Sequence, residues 1–202
     1  MLLELSEQEI QRRKSLEELR KLNVDPYPAS GYTVNTTTEE IKKNYDPEKN
    51  NFQSISIAGR LMNRRIMGNA SFAELQDEKG SIQIYLKRDN ICPGEDKTLY
   101  NQVFKKLLDI GDIVGIKGEA FITKVGELSI NVKEFSVLSK SVRPLPIVKE
   151  KDGEVYDAFS DPEQRYRQRH LDLIVNKESR ENFIQRSRMV QSMRNFLNDK
   201  GY

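Results

Sequence analysis

An aromatic ring, a side-chain amide and a guanidinium on one surface can hold an unpaired base. The ring offers a face for stacking, and the two polar groups satisfy the edge. The stretch ISIAGRLMNRRIMGNASFAELQDEKGSIQIYLKR, residues 55–88, carries those residue types at a spacing that brings them together. In SFAELQ, Ala73 and Leu75 fall on one face, and Phe72, Glu74 and Gln76 on the other. In SIQIYL, Ile82, Ile84 and Leu86 alternate with Ser81, Gln83 and Tyr85. Alternation with period two marks half-buried strands, and Asp77-Glu78-Lys79-Gly80 supplies a hairpin turn.

Closing that turn pairs Gln76 with Ser81, Glu74 with Gln83 and Phe72 with Tyr85 on the polar face. Ala73 and Leu75 then lie opposite Ile84 and Ile82. A slip by one residue would bury the polar set, so the register is well specified. Phe72 is therefore an aromatic residue on the wrong face for a core, with Gln83 a diagonal neighbour within side-chain reach. Upstream, Ile55, Ile57 and Leu61 set the parity of a third strand. If that strand runs without a bulge, Arg60 and Arg64 project from the polar face as well. The plain alternative is that Phe72 is a single exposed apolar residue of the ordinary kind, or is covered by a loop or the N-terminal helix.

The totals restrict the kind of partner such a face could have. Thirty-three Lys and Arg against 31 Asp and Glu leave a net charge of only +2. A protein that coats nucleic acid indiscriminately carries a stronger basic excess, so any binding here is expected to be local and base-directed. Cys92 is the only cysteine and His170 the only histidine, which excludes an internal disulfide framework, thiolate clusters and His-paired metal sites. No catalytic residue and no metal site is expected in the chain. MLLELSEQEIQRRK has no long apolar core and reads as neither signal peptide nor membrane span, so a cytoplasmic location is expected.

The elements that must position these residues follow from the chain order. Ser6 and Glu9 form a capping-box signature, with Ile10, Leu16, Leu19 and Leu22 at helical spacing and Pro26 and Pro28 beyond. The other side of that helix carries Arg12, Arg13, Lys14, Arg20 and Lys21, either as a solvated face or as an auxiliary clamp on a phosphate backbone. Residues 29–53 are polar and connecting, with a short helix at Thr38–Asn44. After the hairpin, RDNICPGEDK reads as a loop and Thr98–Leu108 as a helix with Tyr100, Val103, Phe104, Leu107 and Leu108 in a stripe. Ile113–Thr123 and Glu127–Val137 read as two more strands.

The order β-β-β-α-β-β across about 85 residues is that of an OB-fold, a five-stranded Greek-key barrel whose outer face binds oligonucleotides or oligosaccharides. The fold class is thus mainly β with α. The expected division is an N-terminal helix and connector at 1–52, the barrel at 53–140, a linker or hinge at 141–175 around Pro144 and Pro146, and a further helix at 176–202. In that last helix Phe183, Val190, Met193 and Leu197 mark the face expected to be buried, flanked by Ile184 and Phe196. Asp161-Pro162 opens a helix as N-cap and first residue, and its arginines are expected to pair with carboxylates such as Asp172.

GRLMNRRIMGNASFAELQD, ICPGEDKTLYNQVFKKLLDIGD, VGELSINVKEFSVLSKSVRPLP and DPEQRYRQRHLDL together resemble the N-terminal part of a bacterial-type class II lysyl-tRNA synthetase. The likeness covers residues 3–202, and SKSVRPLP followed by RYRQR and DL distinguishes it from the aspartyl and asparaginyl relatives that share the barrel. His170 stands where the family more often has Tyr, and Asn131 where His is expected. The resemblance implies that Phe72 stacks on the central anticodon base, that Gln83 hydrogen-bonds it, that Arg64 holds it, and that Glu127 takes part in reading the lysine anticodon. It implies tRNA as partner, a homodimer for the whole ligase, and ATP with Mg²⁺ as cofactors of the whole ligase but none for this stretch. The resemblance also places the second and third catalytic motifs outside these 202 residues, with motif one incomplete, so the chain by itself is expected not to form aminoacyl-adenylate.

Two other readings remain at this point. One is a free-standing OB-fold protein that binds single strands without sequence preference. The other is a barrel whose sheet face docks another protein through Phe72.

Overall fold

The computed structural model describes residues 5–49, 51–146, 149–151, 154–156 and 159–202. It divides after Pro144 into two compact units.

In the first unit, helix α1 (Glu7–Lys21) starts at Ser6, whose hydroxyl accepts from the Glu9 amide while the Glu9 carboxylate accepts from the Ser6 amide. Its buried residues are Arg12, Ser15 and Leu19, whereas Ile10 is exposed. Arg12 thus leaves the cationic outer face on which the sequence pattern places it. Its guanidinium donates to the carbonyls of Ile110 (2.9 Å), Ser141 (3.1 Å) and Arg143 (3.2 Å) and ties the helix to the ends of the barrel strands. Helix α2 (Thr38–Asn44) is capped by Thr37. The connector around it does more than connect. Thr38, fully buried, donates its amide and its hydroxyl to the Asp77 carboxylate, both at 2.7 Å, and clips α2 to the hairpin turn.

Five strands follow: β1 (Ile55–Met67), β2 (Ala70–Gln76), β3 (Ser81–Lys87), β4 (Ile113–Ile122) and β5 (Leu128–Ser139). They close into a barrel in the order β1-β2-β3-β5-β4, with β3 and β5 as the parallel pair. This is the mainly-β OB-fold layout expected from the sequence. The β2–β3 register is the expected one pair by pair, from Gln76 opposite Ser81 to Phe72 opposite Tyr85. Ile55, Ile57, Leu61, Leu75, Ile82, Ile84, Leu86, Ile116, Ile130 and Val132 fill the interior. Glycines permit the closest strand approaches: a Cβ on Gly118 would lie 2.2 Å from the Asn131 carbonyl oxygen, and one on Gly59 2.6 Å from that of Gln76.

Between β3 and β4 the segment expected as loop then helix becomes a short helix, α3 (Arg88–Ile91), and a π-helix over Leu99–Leu107. The wide turn is visible in the Leu108 amide, which donates five residues back to Val103 at 3.0 Å. Tyr100, Val103, Phe104 and Leu108 are fully buried in the core, and Leu107 packs against its margin. Lys140, at the end of β5, is buried with Asp112 at 2.8 Å and Asp109 at 2.5 Å. Asp112 also accepts from the amides of Asp109 and Ser141, so the buried charges are paired and hydrogen-bonded on all sides.

The second unit contains a small hairpin, β6 (Lys149–Lys151) with β7 (Glu154–Tyr156), in a stretch expected as extended linker and loop; the loop expected at Gly153 lies outside the described residues. Helix α4 (Pro162–Arg167) has Asp161 as N-cap, accepting from the Gln164 amide at 2.8 Å. Helices α5 (Arg169–Val175) and α6 (Lys177–Asp199) follow. Asp172 is the hub. It is fully buried and accepts from Arg165 (2.8 Å), Arg169 and Asn176 (2.6 Å), which is the ion pairing expected for this segment. The expected buried face of α6 is not buried: Phe183, Ile184, Val190, Met193, Phe196 and Leu197 are all exposed. Gly201 closes the helix at φ +83°, with the Tyr202 amide donating back to the Leu197 carbonyl at 3.1 Å.

Candidate nucleic-acid interface

The ladders place the outer-face residues in two rows across the barrel. One row runs Arg65, Phe72, Tyr85, Asn131, Glu119, each directly opposite the next on the neighbouring strand. The second runs Asn63, Glu74, Gln83, Ser129, Phe121. Phe72 is on this outer face, partly exposed, between buried Ser71 and buried Ala73. Its ring centroid lies 5.0 Å from that of Tyr85, and Tyr85 in turn lies 6.0 Å from Phe121, edge to face. Three rings thus form a partly exposed apolar strip with polar groups along its side.

Gln83, diagonal to Phe72, has both ends of its amide engaged. Its Nε2 donates to Glu127 Oε2 at 2.7 Å, and its Oε1 accepts from the Ser129 hydroxyl at 2.8 Å. Glu127 belongs to the β4–β5 turn, one residue before the strand on which the alternation places it. Phe72, Gln83 and Glu127 therefore lie in one neighbourhood, with Ser129 buried beneath them.

Arg64 does not join them. The β1–β2 ladder shifts between Leu61 and Asn63, so the condition for an outward Arg64 fails. The bulge puts Arg64 opposite Ala73, on the inner face, where its Nη1 donates to the carbonyls of Phe104 and Leu108 (2.9 Å). Its guanidinium also lies 5.7 Å from the centre of the Phe104 ring. Two carbonyls at a helix C-terminus are a natural cation site. Burial lowers the Arg64 pKa from its ordinary value, against the opposing pull of Asp109 and Asp112, but a guanidinium stays charged at neutral pH. Arg60 keeps its outer-face parity but turns to the Gly111 carbonyl at 2.6 Å, and burial lowers its pKa too. Arg65 is the cation that stands beside Phe72 instead. Sequence reasoning passed over it because the two arginines are adjacent, and only a one-residue bulge decides between them.

A ring with an amide and a guanidinium at its edge can stack a flat heterocycle and bond its polar rim. Among the described residues no cluster of His, Cys, Asp or Glu is placed to hold a metal ion, and no helix is long and apolar enough to cross a membrane.

Residues 55–138 match the family of the OB-fold nucleic acid binding domain, and residues 161–202 match the class II tRNA synthetases (D, K and N). A protein of Porphyromonas gingivalis named lysine–tRNA ligase is 58% identical over all 202 residues, which are 35% of its length. Proteins of the same name from Azobacteroides pseudotrichonymphae and Christiangramia forsetii are 55% and 54% identical over 98% of the chain, covering 39% and 34% of their lengths. The chain thus spans about a third of the length of the curated relatives it matches. With the barrel matched by one family model and the last helices by another, the chain is similar along its whole length to the N-terminal third of proteins named lysine–tRNA ligase.

Proposed function

We propose that the outer face of the barrel reads the anticodon of a lysine tRNA. Phe72 stacks on the central base, Gln83 bonds its edge, Glu127 supports that amide, and Arg65 supplies the nearby cation that sequence parity assigned to Arg64. The observation that carries the reading is Phe72 itself: a large ring on the polar side of a strand, flanked by an amide and a guanidinium, in a domain whose family binds nucleic acid. Uridine, the central base of every lysine anticodon, offers a flat face, two carbonyl acceptors and one N–H donor. An amide and a guanidinium can satisfy that edge.

In this reading residues 53–140 are the anticodon-binding domain, 141–175 the hinge, and 176–202 part of a catalytic domain. The whole ligase attaches lysine to its tRNA with ATP and Mg²⁺ in the cytoplasm, as a homodimer. The 202 residues by themselves hold neither an ATP site nor a lysine site. Lysine-dependent pyrophosphate exchange by this chain alone would refute that.

The test of the main reading is titration with a lysine anticodon stem-loop and base-substituted versions of it. Stacking is worth about 1–3 kcal/mol per base, so Phe72→Ala weakens binding of the U-centred loop by roughly tenfold or more. Equal binding by wild type and variant would overturn the assignment. A scrambled loop bound as tightly as the cognate one would favour a sequence-blind single-strand binder.

A further inference from the structure

We propose that Glu127, seated against Ser129, acts as an orientation lock on the Gln83 amide, and that this lock is what makes the face choose uridine over cytidine. The inference rests on the anticodon reading and adds a specificity-determining role to it. A primary amide has two nearly isosteric ends, an NH₂ that only donates and an oxygen that only accepts. Rotating it by half a turn exchanges them. An amide free to rotate reads two opposite donor and acceptor patterns equally well.

Gln83 is not free to rotate. An ionised carboxylate can only accept, so Glu127 at 2.7 Å requires the NH₂ end of Gln83 to face it. The oxygen end is then turned to Ser129, whose hydroxyl must donate to it, at 2.8 Å. The next acceptor for that hydroxyl is the Glu127 carbonyl at 3.4 Å, a poorer partner. Turning the amide over would set its oxygen against the Glu127 carboxylate and leave that carboxylate without its donor. Ser129 alone would not oppose the turn, because a hydroxyl can accept as readily as it donates. The sense of the amide therefore comes from Glu127, and Ser129 holds the far end in place. One N–H and one lone pair of the amide remain for a base.

Uridine and cytidine differ in this very respect. At positions 4 and 3, uridine presents an acceptor and then a donor, and cytidine a donor and then an acceptor. For a base whose plane is fixed by stacking on Phe72, an amide locked in one sense matches one pattern and opposes the other. The mismatch leaves groups unpaired on both sides, which is how a polar site rejects a near-isostere. Glu127 thus acts through Gln83 as a positioning residue, without touching the base.

The decisive variant is Glu127→Gln, since a neutral amide at 127 can face either end of Gln83. Wild type, Glu127→Gln, Ser129→Ala, Ser129→Thr and Phe72→Ala are titrated with anticodon stem-loops bearing U or C at the central position. Glu127→Gln gains affinity for the C loop, and the U-to-C ratio shrinks by about fivefold or more. A gain is a result that a merely damaged protein would not give. Ser129→Ala weakens the U loop without a gain for the C loop, and Ser129→Thr, which keeps the hydroxyl, restores it. An unchanged ratio in Glu127→Gln, or a loss for the U loop with no gain for the C loop, overturns the lock while Phe72→Ala still weakens binding. If Phe72→Ala binds both loops as wild type does, the anticodon reading falls and the lock with it.

Discussion

Arg65 faces Phe72 directly across the β1–β2 ladder because that ladder shifts at Met62, between Leu61 and Asn63. The consequence is a division of labour between two adjacent arginines that can be measured separately. Arg65→Ala weakens stem-loop binding and flattens its salt dependence, with the melting temperature little changed. Arg64→Ala strips the Phe104 and Leu108 carbonyls of their charged donor and costs about 2 kcal/mol or more of stability. Thermal melts and stem-loop titrations on the same two proteins check both halves, and the reverse pattern would return Arg64 to the binding face.

Lys140 gives the second expectation. Its ammonium and the Asp112 carboxylate are both buried, and burial pushes the Asp112 pKa up although Lys140 and its hydrogen bonds pull it down. Lys140→Met leaves the carboxylate buried without its cation, at a cost of about 3–5 kcal/mol near neutral pH. A carboxyl whose folded pKa lies above its unfolded value near 3.8 favours the fold in acid and loses that contribution as pH rises. The penalty in Lys140→Met is therefore smallest in acid and grows towards neutrality. Urea unfolding of variant and wild type at a series of pH values measures it.

Asp172 has the opposite sign. Burial raises its pKa, but hydrogen bonds from Asn176, Arg165 and Ser179 and the Arg165 charge outweigh that and set it below the usual 3.8. Its side chain is fully inaccessible between two arginines that are about one-third exposed, so the hydrogen-bond geometry governs the outcome more than the depth of burial. A depressed carboxyl contributes stability that is complete above the unfolded pKa and is lost as pH falls through the folded one. Helical ellipticity of α4–α6 is expected to hold down to about pH 4 and to fall below it. Asp172→Asn removes that acid limb and lowers stability at neutral pH by on the order of 2 kcal/mol.

Helix α6 supplies a fourth test. Met193 and Phe196 are 66% and 62% exposed, on a side of the helix that also carries Val190 and Leu197. An apolar strip of that extent favours association. Sedimentation of the chain is expected to depend on concentration, and Met193→Asp with Phe196→Asp to abolish that dependence.

The parts of this molecule that could be read in the sequence are those where one period and one turn determine everything. The β2–β3 hairpin is the clearest case, because a slip by one residue buries Glu74 and Gln83 and the short turn leaves no room for a slip by two. The bulge at Met62 left no trace in composition, and one inserted residue moved Arg64 through the sheet. Arg12 was unreadable for a different reason: its three carbonyl partners lie about a hundred residues or more away. The stripe from Tyr100 to Leu108 showed which residues are buried but not that the turn widens to π, since the same stripe suits either helix. The apolar positions of α6 were equally plain, while their exposure depends on what the helix meets.

Behind Phe72, the inward hydroxyl of Ser71 shares a hydrogen bond of 2.8 Å with the hydroxyl of Tyr100, which rises from the π-helix inside the barrel. The strand that carries the ring is thus bolted from within, one residue away from the surface it presents. A nucleotide arriving at that surface meets a rigid shelf, and little conformational entropy is left to lose on contact. On the proposed anticodon reading, loosening the bolt, as in Tyr100→Phe, would make the shelf waver and speed dissociation although no atom of the proposed contact face has changed.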